Sequence, residues 1–217
     1  DLRATYSFAT FLRLPPRAGV SVARNQGALK AVGPLLAFLD DDEAWPDNYL
    51  ELMVAQAQAE QLDMVAAPRY VDSTKQIWPV PVVRRGVVPA WRQNGYAGSN
   101  ILVEQSAFWA VGGFSSRLTT GEDRALFVEF VLHSLRVGVC AQTYAYAIPH
   151  SGARLTDNNT LLLGKLEFLA LYSDRMDRRA RREDRFASLV YLSRAWRFPF
   201  WLAGVLAYPE VAWRRLV

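Results

Sequence analysis

The apolar positions fall into short runs and helical stripes that alternate along the chain. Leu35 to Leu39 is an uninterrupted apolar run, too short for a helix, and reads as a buried strand of a parallel sheet. Before it, Ser21 stands at a capping position. Val22, Ala23, Leu29 and Val32 follow at helical spacing, closed by Gly33-Pro34. After it, Pro46 marks a first helical turn, and Leu50, Met53, Val54 and Ala57 share one face. Asp63–Pro68, Ser99–Glu104, Val137–Cys140 and Tyr144–Ile148 read as further strands. Gln105–Val111 reads as a short helix, and a longer one runs from Glu122 towards Val137 with Leu126, Phe127, Phe130, Val131 and Leu135 on its apolar positions. The segment Leu2–Leu14 is weakly extended and ends at Pro15-Pro16, while residues 69–97 follow no period and read as a long loop region. Beyond Thr156 the pattern is helical to the end, with breaks near Pro199 and Pro209. Strands alternating with helices place the chain in the α/β class.

Composition narrows the picture. With 217 residues, 51% hydrophobic and 21% charged, the chain can bury a sizeable core and is not a disordered segment. The lone Cys140 excludes a disulfide scaffold and reads as a small core residue in a reducing, cytoplasmic setting. Asp1–Phe11 does not have the basic-then-apolar form of a leader. The apolar stretch Phe198–Pro209 falls short of the ~20 residues that span a bilayer.

The net charge of +4 is uneven. Residues 1–172 hold 15 basic against 16 acidic side chains, and residues 173–217 hold 10 against 5. A near-neutral body argues against nucleic acid as the partner, since that footprint would cover a face of the folded core. The tail packs Arg175, Arg178, Arg179, Arg181, Arg182 and Arg185 together, then places Trp196, Phe198, Phe200, Trp201, Tyr208 and Trp213 among further arginines. Two readings stand for 173–217. It is a helical tail lying on an anionic membrane surface, peripheral on the inner face, or it is a solvated helix followed by one that packs on residues 1–172.

Three places carry candidate chemistry. Asp40-Asp41-Asp42-Glu43 closes an apolar strand, where open α/β sheets bind ligands. In an extended segment Asp40 and Asp42 point the same way and suit a hard divalent cation sharing its shell with phosphate oxygens. Alternatively, Asp42 and Glu43 stabilise the N-terminus of the helix from Pro46. Glu122-Asp123 follows Gly121 at a helix start: one carboxylate is a general base for a hydroxyl, or both are ordinary first-turn acids. His150 is a third metal ligand, a phosphate contact or a packing residue, and Arg24-Asn25 faces a nucleotide or a solvated helix surface.

In order along the chain, Gly19-Val-Ser-Val-Ala-Arg24-Asn25-Gln-Gly27, Leu36-Ala-Phe-Leu-Asp40-Asp41-Asp42-Glu-Ala-Trp45-Pro46, Gly98-Ser99-Asn100, Gly112-Gly113-Phe114 and Gly121-Glu122-Asp123 resemble the family 2 glycosyltransferases. The resemblance spans roughly residues 19–172. It implies a GT-A fold, with a mixed, mostly parallel sheet flanked by helices, and a catalytic domain over 1–172. It also implies inverting transfer from a nucleotide-sugar donor, with Mn²⁺ or Mg²⁺, to a saccharide or lipid-linked acceptor in polysaccharide or glycolipid synthesis.

Residue by residue, the resemblance makes Arg24, Asn25, Asp40 and Asp41 donor contacts and Asp42, Asp40 and His150 metal ligands. Asp123 becomes the base, Glu122 its orienting neighbour, and Gly98, Ser99 and Asn100 the walls of the acceptor and sugar pockets. Family members open with a strand-helix-strand unit for the nucleotide base that residues 1–18 do not match, so either such a unit precedes Asp1 or the base pocket is built another way. Two other classes compete: an incomplete remnant acting as a binding or membrane-docking module, and a metal-dependent nucleotidyltransferase that has no use for a base at Asp123.

Overall fold

The computed structural model describes residues 5–71, 76–78, 97–148, 158–196 and 199–216. The first regular element is α1 (Val20–Lys30), which starts after Gly19 at φ 86°. Glycine alone enters that backbone region without cost, so it takes the capping position expected of Ser21. The Ser21 hydroxyl instead donates to the Ser115 carbonyl at 2.9 Å. Residues 5–9, expected to be extended, form a turn in which the Ala9 N–H donates to the Tyr6 carbonyl.

The strands make two four-stranded sheets. One has the order β1 (Leu35–Ala37), β6 (Ile101–Glu104), β3 (Met64–Ala66), β7 (Val137–Val139). The other has the order β2 (Glu43–Ala44), β8 (Ala145–Ala147), β4 (Arg69–Val71), β5 (Gln76–Trp78). The mixed α/β architecture stands. The strand at Leu35 is a correction, because β1 pairs antiparallel with β6 rather than lying in a parallel neighbourhood. Among the described pairs only β3–β7 and β4–β8 are parallel. An apolar run records that a strand is covered, and it carries no information on the direction of its neighbour. Strands β4 and β5 were also unexpected, since they lie within the segment read as loop.

Side-chain alternation explains the layering. Met64 and Ala66 of β3, with Ile101 and Val103 of β6, face a core shared with Phe108, Phe114 and most of α4 (Glu122–Leu132). Val65, Ala67 and Leu102 face the other way, against Tyr49, Met53 and Ala57 of α2 (Tyr49–Glu60) and the buried Cys140. Helix α3 (Gln105–Ala110) supplies Ala107 and Phe108 to the first core. Helix α4 is buried on nearly every side, so its charged residues Glu122 and Arg124 must find partners inside the protein.

The C-terminal residues fold as α5 (Asn158–Tyr172), a 3₁₀ turn at Ser173–Arg175, α6 (Arg178–Trp196), α7 (Phe200–Ala207) and α8 (Pro209–Leu216). Breaks fall near Pro199 and Pro209 as expected, and a further one at the 3₁₀ turn. Phe168 and Tyr172 of α5 join the main core, and so do Met176 and Ala180 at the start of the tail. A smaller cluster of Phe186, Val211 and Ala212 joins α6 to α8. No helix among the described residues is long and apolar enough to cross a membrane.

Candidate active site

The two acidic motifs, 80 residues apart in sequence, meet at one arginine. Arg24, on α1, donates from Nη1 to Glu122 Oε1 at 2.7 Å and from Nη2 to both Asp40 oxygens at 2.6 and 2.8 Å. Its side chain is 11% exposed, and its guanidinium stands 5.2 Å from the centre of the Phe114 ring. Burial alone would lower the Arg24 pKa, but Asp40, Glu122 and Asp123 more than reverse that and hold it above the usual arginine value. The charged form is therefore locked in.

A tight turn, closed by the Glu43 N–H on the Asp40 carbonyl at 3.1 Å, gathers the acidic run. Carboxylate oxygens of Asp40, Asp42 and Glu43 lie within 4.8 Å of one another. Their convergence comes from this turn and not from extended alternation. Glu43, read as a helix-terminus acid, instead lies in β2, and α2 starts only at Tyr49. It accepts from Arg69 and from the Ser99 hydroxyl. Asp41 is exposed and stands outside the cluster. An all-oxygen, all-carboxylate donor set fits a hard divalent cation such as Mg²⁺ or Mn²⁺.

On the other side of Arg24, Gly121 takes φ 84° and starts α4 with Glu122 and Asp123. Glu122 is buried, while Asp123 keeps part of its surface exposed. Burial first, and then the neighbouring Glu122 charge, push the Asp123 carboxyl up to about 7. The Arg124 N–H, which donates to Asp123 Oδ1 at 2.6 Å, and the charges of Arg24 and Arg69 oppose that rise. A carboxyl poised there can take a proton near neutrality.

The remaining expected residues divide sharply. Gly98 presses on Arg24: a Cβ built there would sit 2.4 Å from the guanidinium carbon. Ser99 is buried and joins β2 through Glu43, and its carbonyl accepts from the Trp45 indole N–H at 2.8 Å. Asn100 is buried too, donating to the Ala67 carbonyl at 2.6 Å and accepting from the Ala97 N–H at 2.7 Å. It holds the 3₁₀ turn Gly98–Asn100 against β3. The Asn25 amide clamps Phe114 at both ends, donating to the carbonyl at 2.8 Å and accepting from the N–H at 2.9 Å. His150 lies outside the described residues. Arg69 was missed by the sequence reading, and its one signal is its place just past the strand that ends at Pro68.

A family model described as "Glycosyl transferase family 2" matches residues 1–112. That match takes in residues 1–18, where the motifs gave no likeness, and stops short of Gly121-Glu122-Asp123. Solved structures share the fold at low identity. TarS 1–349 of S. aureus in complex with UDP-GlcNAc is 14% identical, with a TM-score of 0.60 over 97% of this chain and 68% of that one. The mannosyltransferase PcManGT of Pyrobaculum calidifontis, in complex with GDP-Man and Mn²⁺, is 15% identical with a TM-score of 0.59 over 93% and 57%. GalNAc-T7 with UDP, GalNAc and Mn²⁺ is 15% identical with a TM-score of 0.52 over 80% and 40%. The chain thus spans well under two thirds of the last two. No curated protein matches it in sequence.

Proposed function

The chain belongs to glycosyl transferase family 2, and on that premise we propose that it transfers a sugar from a nucleotide-diphosphate donor to an acceptor hydroxyl with inversion. A saccharide or lipid-linked molecule is the acceptor, in polysaccharide or glycolipid synthesis. Residues 1–172 carry the transfer, and 173–217 form a helical extension. The observation that supports this most is the Arg24 bridge, which sets a carboxylate cluster for the donor phosphates beside a second acidic pair for the acceptor.

In this reading Asp123 receives the acceptor proton. The acceptor oxygen attacks the anomeric carbon from the face opposite the diphosphate. As that bond forms, the bond from carbon to the diphosphate oxygen breaks and the leaving group takes its electron pair. One displacement with one base inverts the centre. The Arg124 N–H holds the Asp123 carboxyl, and Arg24 ties the adjacent Glu122 to Asp40. Asp40, Asp42 and Glu43 would hold Mg²⁺ or Mn²⁺, whose chemistry when bound is to neutralise charge on the diphosphate. The structural neighbours, solved with UDP-GlcNAc, with GDP-Man and Mn²⁺, and with UDP, GalNAc and Mn²⁺, support that choice of donor class and ion.

The test is calorimetric titration with UDP and GDP, with and without Mn²⁺, beside a transfer assay. Metal-dependent binding is expected in the parent and in Asp123→Asn, and is lost in Asp40→Ala/Asp42→Ala. Transfer is expected in the parent alone. Binding that persists in the double variant, or turnover that survives Asp123→Asn, refutes the assignment.

A further inference from the structure

Away from this site, a groove of about 560 Å³ runs between α6 and the junction of α7 with α8, lined by Arg178, Arg181, Arg182, Arg185, Ala207 and Tyr208. The arginines recur at i, i+3, i+4 and i+7, so they form a single stripe along two turns of α6. Arg182 pairs with Glu210 at 2.9 Å and lies over the Tyr208 ring at 5.4 Å. Arg181 gives one N–H to the Met176 carbonyl at 3.1 Å, and its Nε is buried with no acceptor among the described residues. Arg178 and Arg185 are exposed, and neither pairs with a carboxylate among the described residues. Among the described residues Glu210 is the one acid bonded to this stripe of four arginines.

Unspent guanidinium donors at this density match phosphate oxygens, which accept from the planar fork in pairs. The opposite wall gives the kind of phosphate. Ala207 and Tyr208 follow directly on Leu206, which is 84% exposed, and α7 and α8 also expose Trp201 and Trp213. Arginines beside exposed tryptophan and leucine on short helices form the arrangement of an interfacial surface, with charge at the headgroups and apolar groups at the acyl boundary. We propose that this groove binds the phosphates of anionic phospholipid headgroups and, with Leu206, Trp201 and Trp213 set into the interface, holds the chain on a membrane surface. The proposal is independent of the sugar-transfer reading.

The test is sedimentation of the full chain with vesicles of phosphatidylcholine alone and of phosphatidylcholine mixed with phosphatidylglycerol. Binding is expected only to the mixed vesicles, weakening as salt is raised. Arg178→Ala/Arg185→Ala removes two exposed side chains, leaves the fold intact by circular dichroism, and should lower the affinity about thirtyfold, at about fivefold per arginine. Leu206→Glu should weaken binding as well, and inorganic pyrophosphate should displace the chain no more than sodium chloride of equal ionic strength. Equal binding to neutral vesicles, an unchanged affinity in the double variant, or no binding at all overturns the proposal. So does displacement by pyrophosphate beyond that by sodium chloride with no effect of Leu206→Glu, because the groove is then a site for a soluble phosphate compound.

Discussion

Replacing Asp184 by alanine is expected to cost about 3–5 kcal/mol of stability, because it strands a buried charge. Asp184 on α6 accepts from Arg124 on α4 at 2.6 Å, with the two side chains only 3% and 1% exposed. Burial pushes the Arg124 guanidinium below its usual value, and the Asp184 charge works against that fall. The Asp123 charge also works against it, and the Phe168 ring stands 3.8 Å from the guanidinium. A cation–π contact contributes ~0.5–2 kcal/mol, too little to offset desolvation of a guanidinium. For a chain of 217 residues each kcal/mol moves the midpoint by ~2–4 °C, so thermal unfolding should drop by roughly 6–20 °C. Removing both charges with Arg124→Met/Asp184→Leu should recover most of the loss, since apolar groups of similar volume then replace both halves of the ion pair. Urea denaturation of the parent, both single variants and the double variant gives the coupling energy directly. A loss under about 1 kcal/mol in Asp184→Ala, or a double variant no more stable than the single one, would show that the pair does not hold α6 to α4.

Two further outcomes concern the site itself. With the Asp123 carboxyl at about 7 and the carboxylate as the active form, kcat/KM should climb about tenfold per pH unit below that point and flatten above it. A profile flat across neutrality would remove Asp123 as the base. The same shift has an opposite sign for stability. The folded state binds this proton more tightly than the unfolded chain, so stability falls as pH rises from about 4 to about 7, and Asp123→Asn should lose that slope in pH-dependent unfolding. Gly98→Ala places a methyl group 2.4 Å from the Arg24 guanidinium carbon and must displace it. Transfer should fall more than about tenfold with the circular dichroism spectrum unchanged, given how steeply catalysis depends on placement. Full activity in that variant would mean that Arg24 is not needed where it stands.

The sequence pattern carried the helices and most strands because those rest on periodicity. Strands β3 and β6 alternate between two cores, and α4 carries Leu126, Phe127, Phe130 and Val131 where they were expected, but it ends at Leu132, short of Leu135 and of the expected end at Val137. Partner direction was not legible, since burial of Leu36 is the same whether β6 runs parallel or antiparallel. Strands β4 and β5 were hidden within an aperiodic, proline-bearing segment. At the site, residue type announced the carboxylates, but turn geometry decided which of them converge, bringing in Glu43 and leaving out Asp41. Amides were harder to read. Asn25 and Asn100 have side chains that suit a ligand equally well, and both are used on main-chain groups that burial would otherwise leave unsatisfied.

Arg24 and Arg69 give the carboxylate site its physical logic. Asp40, Asp42, Glu43, Glu122 and Asp123 place five carboxyl groups in one region, and like charges so close repel unless something neutralises them. Arg24 takes Asp40 and Glu122, and Arg69 takes Glu43, so the largest repulsions are already met within the protein. Among the described residues, two guanidiniums stand against these five carboxyl groups, a balance that is acidic. A nucleoside diphosphate entering it would be repelled, so donor affinity in the proposed reaction should depend steeply on a divalent cation. Burial first, and then the Glu122 charge, keep the Asp123 carboxyl high, so the acidity that calls for a cation is only the second cause of that basicity.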